Sequence, residues 1–451
     1  MTGEPSPVPV GTLDQSRRRS SRWRRRLLRL VAVLAVVLLA LWLAAAWYFS
    51  DVLYDDGLAI TPPPEVPVAD VAVAAVADDS ITLVPGEERP DEVSAPGTWG
   101  LWWPDGYGLL TEIEGTSAEA VTRTFAVVDG TAPAVGTLTD VDKYVFGDTP
   151  GELLGLEWDD VEITTPLGAQ DAWYVPPGGD VGSAGAPTTP GLPAADEVRS
   201  AGADDAGSPR AGDVGSASAH DPWAILVHGK GSGRDEMLRM LRTVHEAGFS
   251  ALVITYRGDR DQPVDPAGVY RFGATEWEDL DAAVDYALDR GATEIVLAGA
   301  STGAALIGSW FDNAAETQVA EGIVLDSPNA DVERTFAYGA SRRTIPGTGW
   351  PLPPGLAWTA FRLAELRFPL DFSAVDYSDT LEEVDVPTLV FHGVGDPTVP
   401  VEAARDLAAA RDAAGVPTTY LETGAAQHVG SYNHDPDRYE KALEEFLRGV
   451  G

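Results

Sequence analysis

Glu294-Ile-Val-Leu-Ala-Gly-Ala-Ser-Thr-Gly-Ala-Ala305 is the stretch on which the fold turns. An apolar run of strand length stops at a Gly-Ala-Ser-Thr-Gly turn and continues into a small-residue helix. Gly299 and Gly303 flank Ser301 where a side chain would block so sharp a turn, so the Ser301 hydroxyl is lifted above the sheet edge as a candidate nucleophile. In a chain with 47 glycines a five-residue G-x-S-x-G match also arises by chance. The reading therefore rests on the strand-to-helix context and on partners further along.

Outward from this elbow, apolar strands alternate with amphipathic helices. Strands are expected at 224–227, 251–255, 294–298, 322–325, 388–391 and 418–421, and helices near 234–247, 276–290, 302–313, 401–414 and 436–447. That alternation is the signature of an α/β fold with a mostly parallel central sheet. Gly291 and Gly415 stand where helix C-caps belong. Residues 161–165 and 172–175 read as antiparallel strands that open the same sheet. The Gly, Ala, Ser, Pro and Asp-rich stretch 177–219 is expected to be a disordered insertion, because it holds too few large apolar side chains to form a core. Between 329 and 380 a long insertion carries Trp350-Pro-Leu-Pro-Pro354 and an apolar segment at 356–366, which suits a helical cap. Trp350, Trp358 and Phe361 are candidates for a substrate pocket under that cap, with anchoring of the cap on the core as the competing role.

A serine hydroxyl is a weak nucleophile at neutral pH and needs a positioned base, an acid to orient that base and donors for the oxyanion. Six histidines are available. His228 and His392 precede glycines at strand ends, His245 lies mid-helix and His220 ends the insertion. His428, in Gly424-Ala-Ala-Gln-His-Val-Gly430 between the last strand and the last helix, is the candidate base, and His434 is its rival. The acid is expected after a strand between serine and histidine, where Val386-Pro-Thr-Leu-Val-Phe-His-Gly-Val-Gly-Asp-Pro397 supplies Asp396. Asp326, in Ile323-Val-Leu-Asp-Ser-Pro328, is the alternative acid or a structural residue. One oxyanion donor is expected from the backbone N–H of Thr302. The second is expected from His228-Gly-Lys-Gly-Ser-Gly233, with Lys230 before Gly231. This loop has neither nucleotide-phosphate glycine pattern, so no such site is read from it.

The order Ser301, Asp396, His428 is that of the α/β-hydrolase triad, and the chain resembles that superfamily over roughly residues 155–450. Tyr256-Arg-Gly-Asp259, Gly273-Ala-Thr-Glu-Trp-Glu-Asp279 and Ser431-Tyr-Asn-His-Asp-Pro-Asp-Arg-Tyr439 are similar to a branch of membrane-anchored bacterial hydrolases, close to the serine-aminopeptidase-like and acyl-protein-thioesterase-like groups. Ala300 and Thr302 replace the bulky residue and the Met-Gly of that branch's commoner elbow, a difference that bears on pocket shape. The resemblance implies a serine hydrolase that cleaves an ester, thioester or amide through an acyl-enzyme, with no metal or organic cofactor. Its expected substrate is a small molecule, lipid or acylated compound. A peptidase or aminopeptidase, an acyltransferase, and a non-catalytic binding protein on the same fold are the alternatives.

The N-terminal third is organised differently. Arg17, Arg18, Arg19, Arg22, Arg24, Arg25, Arg26 and Arg29 precede an uncharged run at 30–49. About 20 helical residues span about 30 Å, the hydrocarbon thickness of a bilayer. The arginine excess places a basic tail, 1–29, in the cytoplasm and everything beyond 50 outside. A cleaved secretory signal is the alternative, since Ala44-Ala45-Ala46 has the form of a cleavage site; the length of the apolar run favours an anchor. Residues 50–77 read as a stalk and 78–154 as a small β-rich unit, in which Trp99, Trp102 and Trp103 suit a core better than a sugar-binding face. Beyond residue 29 the chain carries 23 basic and 68 acidic residues, a balance that repels nucleic acid. Cysteine is absent, which excludes disulfides, thiol nucleophiles and cysteine metal sites.

Overall fold

The structure, a computed structural model, describes residues 13–60, 69–86, 92–178 and 222–450. The insertion expected over 177–219 lies outside these from residue 179 onward. The chain begins with a long helix, α1 (Leu13–Leu53), whose apolar stretch is long enough to cross a membrane and is exposed over most of its length. Its last turns are covered: Ala46, Phe49, Ser50 and Leu53 are buried. Beyond them the chain widens into a π-helical turn, Tyr54–Leu58, with Leu58 buried and its carbonyl accepting from the Tyr270 N–H at 2.9 Å. Residues 50–58 are thus docked helix and not the free stalk expected, because Phe49 and Leu53 share one face and continue the helix past Ser50.

The β-rich unit starts at 71, earlier than expected. Strands β1 (Val71–Val76), β2 (Ser80–Val84), β3 (Trp99–Trp103), β4 (Gly106–Thr116), β5 (Val121–Gly130) and β6 (Leu138–Asp142) close into a barrel in the order β1-β2-β5-β4-β3-β6. Closure leaves no open edge. Alternate residues point inward, so Val71, Val73, Ile81, Leu83, Trp99, Leu101 and Trp103 form its core. Arg123 is wholly buried, and its guanidinium donates to the carbonyls of Val93, Ala95, Gly97 and Thr111 at 2.5 to 3.3 Å. Those bonds fasten the loop before β3 to the barrel.

The main sheet comprises β7 (Asp159–Thr165), β8 (Gly168–Val175), β9 (Trp223–Val227), β10 (Ser250–Ile254), β11 (Ile295–Ala300), β12 (Ala320–Asp326), β13 (Thr388–Gly393) and β14 (Thr418–Thr423). Their order is β14-β13-β12-β11-β9-β10-β8-β7, parallel from β14 to β10 and antiparallel at the β8 and β7 edge. This is the α/β-hydrolase fold. Strands β9, β10, β11 and β13 are buried along their whole length, as expected where helices cover both faces. In β9, Trp223, Ile225 and Val227 join the apolar cluster on one face, and Ala224 and Leu226 the cluster on the other.

Connecting helices are α2 (Leu238–Glu246), α3 (Trp277–Asp289) and α4 (Gly303–Asn313), then the cap helices α5 (Val332–Ser341), α6 (Pro354–Arg367) and α7 (Ser378–Glu383), and finally α8 (Val401–Ala414), α9 (Ser431–His434) and α10 (Pro436–Val450). Two polar links fix the end of α1 on α6: the Trp42 indole N–H donates to Thr359 Oγ1 at 3.1 Å, and Arg367 donates to Ser50 Oγ at 2.9 Å and to Asp51. The chain runs from β9 to β10 on one side and returns to β11 on the other. The carboxyl ends of β9 and β11 therefore flank a crevice, where α/β sheets place their ligands.

Candidate active site

Ser301 stands at the end of β11 with φ of 49°, in the left-handed region, at a cost of about 1–2 kcal/mol for a residue with a Cβ. Backbone bonds hold it there: its N–H donates to the Asp326 carbonyl at 2.9 Å, and its own carbonyl accepts from Asn329 N–H at 3.0 Å. The flanking glycines are a packing requirement. A Cβ at Gly299 would lie 2.7 Å from the Gly303 carbonyl carbon, and one at Gly303 would lie 2.4 Å from the Val227 carbonyl oxygen.

His428 comes down on this elbow from the loop after β14. Its Nδ1 donates to Asp396 Oδ2 at 2.8 Å, which leaves Nε2 to accept the Ser301 hydroxyl at 2.8 Å. Asp396 lies after β13, and its Oδ1 accepts the N–H groups of Thr398 and Val399 at 2.8 and 2.9 Å. Burial alone would raise its pKa, but His428, His392 and their hydrogen bonds hold it well below the usual carboxylate range. Asp326 is not in this chain of bonds. It accepts from Tyr439 at 3.1 Å and from Ser327 Oγ at 3.3 Å, and burial pushes its pKa up. Among the described residues no hydrogen bond joins His434 to Ser301 or Asp396.

Facing the elbow is the loop after β9. Gly229 lies so close that a Cβ there would be 3.0 Å from Ser301 Cβ. The Gly229 N–H is taken by Glu236 Oε2 at 2.7 Å. Among the described residues the N–H groups of Thr302 and Lys230 donate to no acceptor, which leaves both for a ligand. Behind the loop His228 stacks on Tyr256 and bonds Asp259 Oδ2 through Nε2 at 2.8 Å. Burial would depress the His228 pKa, yet Asp259 outweighs it and raises it to about 9. With an unfolded value of about 6.5, the charged pair contributes stability that is fully present below that pH and is lost as pH rises through the folded value. Stability is expected to fall by on the order of 1–3 kcal/mol between about pH 6.5 and 9. Thermal melts across that range measure it, and His228→Gln should flatten the slope.

The cap departs from expectation at two positions. Trp350 and Trp358 are 71% and 59% exposed and do not line the cavity under the cap. Phe361 is buried against Phe372 and does line it, a mostly apolar space of about 90 Å³ between the end of α1 and the cap. Phe49, Leu53, Phe336, Ala340 and Ala360 are among its other walls, as are the charged Asp56 and Arg343. Helix α6 turns its apolar side toward α1, so its tryptophan is left facing outward.

Two links were beyond sequence reasoning. The quoted Arg257 and Asp279 meet, with Nε and the second terminal nitrogen of Arg257 on the two carboxylate oxygens at 2.8 and 2.9 Å. The other joins the buried Glu236 to the Gly229 N–H, and no sequence motif surrounds Glu236.

Residues 238–450 match the prolyl oligopeptidase family, and residues 72–141, the barrel strands, match a family described as a domain of unknown function, DUF8805. The sequence matches none of the curated proteins. Among solved structures the chain is similar to an esterase of Pyrococcus furiosus, 21% identical over 68% of this chain and 96% of that one, with a TM-score of 0.45. It is also similar to Est1E from Butyrivibrio proteoclasticus, at 16% identity over 65% and 98% of the two chains and a TM-score of 0.41. A thermophilic esterase from Thermogutta terrifontis is similar at 20% identity over 65% and 99%, with a TM-score of 0.40.

Proposed function

We propose, for a chain that is a serine hydrolase of the α/β-hydrolase superfamily, that Ser301, His428 and Asp396 form its catalytic triad and cleave an ester or thioester through an acyl-enzyme. The observation that carries this reading is the continuous chain from Ser301 Oγ through His428 to Asp396, with both links at 2.8 Å. His428 Nε2 takes the hydroxyl proton as Ser301 Oγ bonds to the substrate carbonyl carbon. The oxyanion so formed faces the free N–H groups of Thr302 and Lys230. The proton passes from His428 to the leaving group, and the carbonyl re-forms on Ser301. Water then enters, gives its proton to His428, and releases the acid with the serine regenerated. Asp396 keeps Nδ1 protonated throughout.

The cavity beside Phe361, whose wall residue Asp56 accepts from Lys230 Nζ through its carbonyl at 3.5 Å, would take a short acyl group. Hydrolysis of p-nitrophenyl esters from acetate to octanoate, set against an acyl thioester and peptide p-nitroanilides, tests the reaction class. Esters or thioesters are expected to turn over fastest. Faster turnover of the anilides would favour a peptidase, the reading that the matched family's description supports.

Anchoring is part of the same proposal. The apolar stretch within Arg26–Leu58 spans the membrane uncleaved, the arginine-rich end is cytoplasmic and the hydrolase domain lies outside. Contacts of Trp42 with Thr359 and of Arg367 over the Trp47 ring at 4.0 Å support retention of the helix on the mature protein. Alkaline carbonate is expected to leave the full-length chain in the membrane fraction. A soluble product that starts near residue 47 would mean a cleaved signal instead.

A further inference from the structure

We infer that the N-terminal barrel is a positioning element for the active site, holding the oxyanion loop through Lys143 and Glu236 and the histidine loop through Asn433. The inference rests on the triad reading and gives the barrel unit a role in the same chemistry.

The chain leaves β6 at Asp142, and the next two residues reach the loop that faces Ser301. Lys143 Nζ donates to Glu236 Oε1 at 3.1 Å, and the Tyr144 hydroxyl donates to Ser232 Oγ at 3.0 Å. Ser232 in turn donates to Glu236 Oε1 at 3.1 Å. Glu236 is 1% exposed, and its other oxygen accepts the Gly229 N–H. Gly229 immediately precedes Lys230, whose N–H is the proposed second oxyanion donor. A buried carboxylate adopts one position only when cations and donors surround it. Here one of the cations, Lys143, comes from the barrel, and Arg239 and His228 are the others. Arg239 also donates to the carbonyl of Val429, next to His428, so α2 touches both catalytic loops.

A second arm reaches the histidine side. The Thr98 N–H donates to the Asn433 carbonyl at 2.7 Å, and the Asn433 amide donates to the carbonyls of Thr98 and Lys143 at 2.8 and 2.9 Å. Gly97, at φ of 97°, lets the loop before β3 approach α9, since a Cβ there would lie 2.0 Å from the Asn433 carbonyl oxygen. Both arms spring from adjacent strands, because β3 pairs with β6. The barrel therefore holds the two loops that must meet across Ser301 in one fixed relation. A donor displaced by a fraction of an ångström loses much of its transition-state contact, and loss of a whole donor costs about 10²–10³ in kcat.

The test uses the full chain in detergent. For wild type, Lys143→Met, Lys143→Arg and Tyr144→Phe, kcat and KM on p-nitrophenyl acetate and the rate of fluorophosphonate labelling are measured beside thermal melts. Lys143→Met is expected to lower kcat and the labelling rate by about 10- to 100-fold with KM within about threefold, and Lys143→Arg to recover most of the loss. Tyr144→Phe keeps the ring, so it serves even where Lys143→Met fails to fold, and is expected to slow labelling by about threefold or more. A folded Lys143→Met or Tyr144→Phe protein with wild-type kcat and labelling, altered only in melting temperature, would reduce the barrel to a stabilising attachment and overturn the inference alone. Wild-type protein that takes no label would overturn the triad reading, and this inference with it.

Discussion

Ser301→Ala is expected to lose fluorophosphonate labelling altogether and to lower ester turnover by about 10⁴–10⁶-fold. The size follows from what the change leaves behind. Thr302 and Lys230 still offer their N–H groups, so only the residual catalysis of the proposed oxyanion hole remains. The fold should not follow the activity down. Oγ reaches only His428, and the elbow is held by backbone bonds to Asp326 and Asn329, so stability is expected to stay within about 1 kcal/mol of wild type. Measured kcat and a thermal melt on the same preparation separate the two effects.

Asp396→Asn is the second large effect, a fall in kcat of about 10⁴ near neutral pH. The carboxylate accepts from His428 Nδ1, which obliges Nε2 to be the unprotonated nitrogen facing Ser301. An amide nitrogen in its place would donate to Nδ1 and put the proton on Nε2, where it blocks transfer from the serine. Asp326→Asn makes the contrast. Its carboxylate lies against Tyr439 and Ser327, so the change should cost stability while kcat stays within about tenfold. If the two variants exchanged their behaviour, the acid would have to be reassigned.

The sheet was legible because parallel strands buried on both faces read as unbroken apolar runs, as Trp-Ala-Ile-Leu-Val does in β9. The placement of Ser301, Asp396 and His428 was legible for a different reason: each sits at the carboxyl end of a strand or just past one, so finding the strand finds the residue. What escaped reading is what depends on distant packing. Trp350 and Trp358 have the composition of a pocket, but the rotation of the cap is set by its contact with α1, some 300 residues away, as the Trp42 to Thr359 bond illustrates with a separation of 317. Glu236 is 93 residues from Lys143 and carries no local mark of the tie between them. The stalk escaped reading because its prolines and alanines suit a linker, whereas its first turns are docked by a few residues, Phe49, Leu53 and Leu58 among them, with Arg367 bonded to Ser50 and Asp51.

The most direct measurement is mass spectrometry of the full-length protein, purified in detergent, after reaction with a fluorophosphonate. A nucleophilic serine paired with His428 should give a single adduct, on the peptide that contains Ser301, and the adduct should be absent from Ser301→Ala. A folded wild-type protein that forms no adduct, or forms it on another residue, would contradict the assignment of Ser301 as the nucleophile.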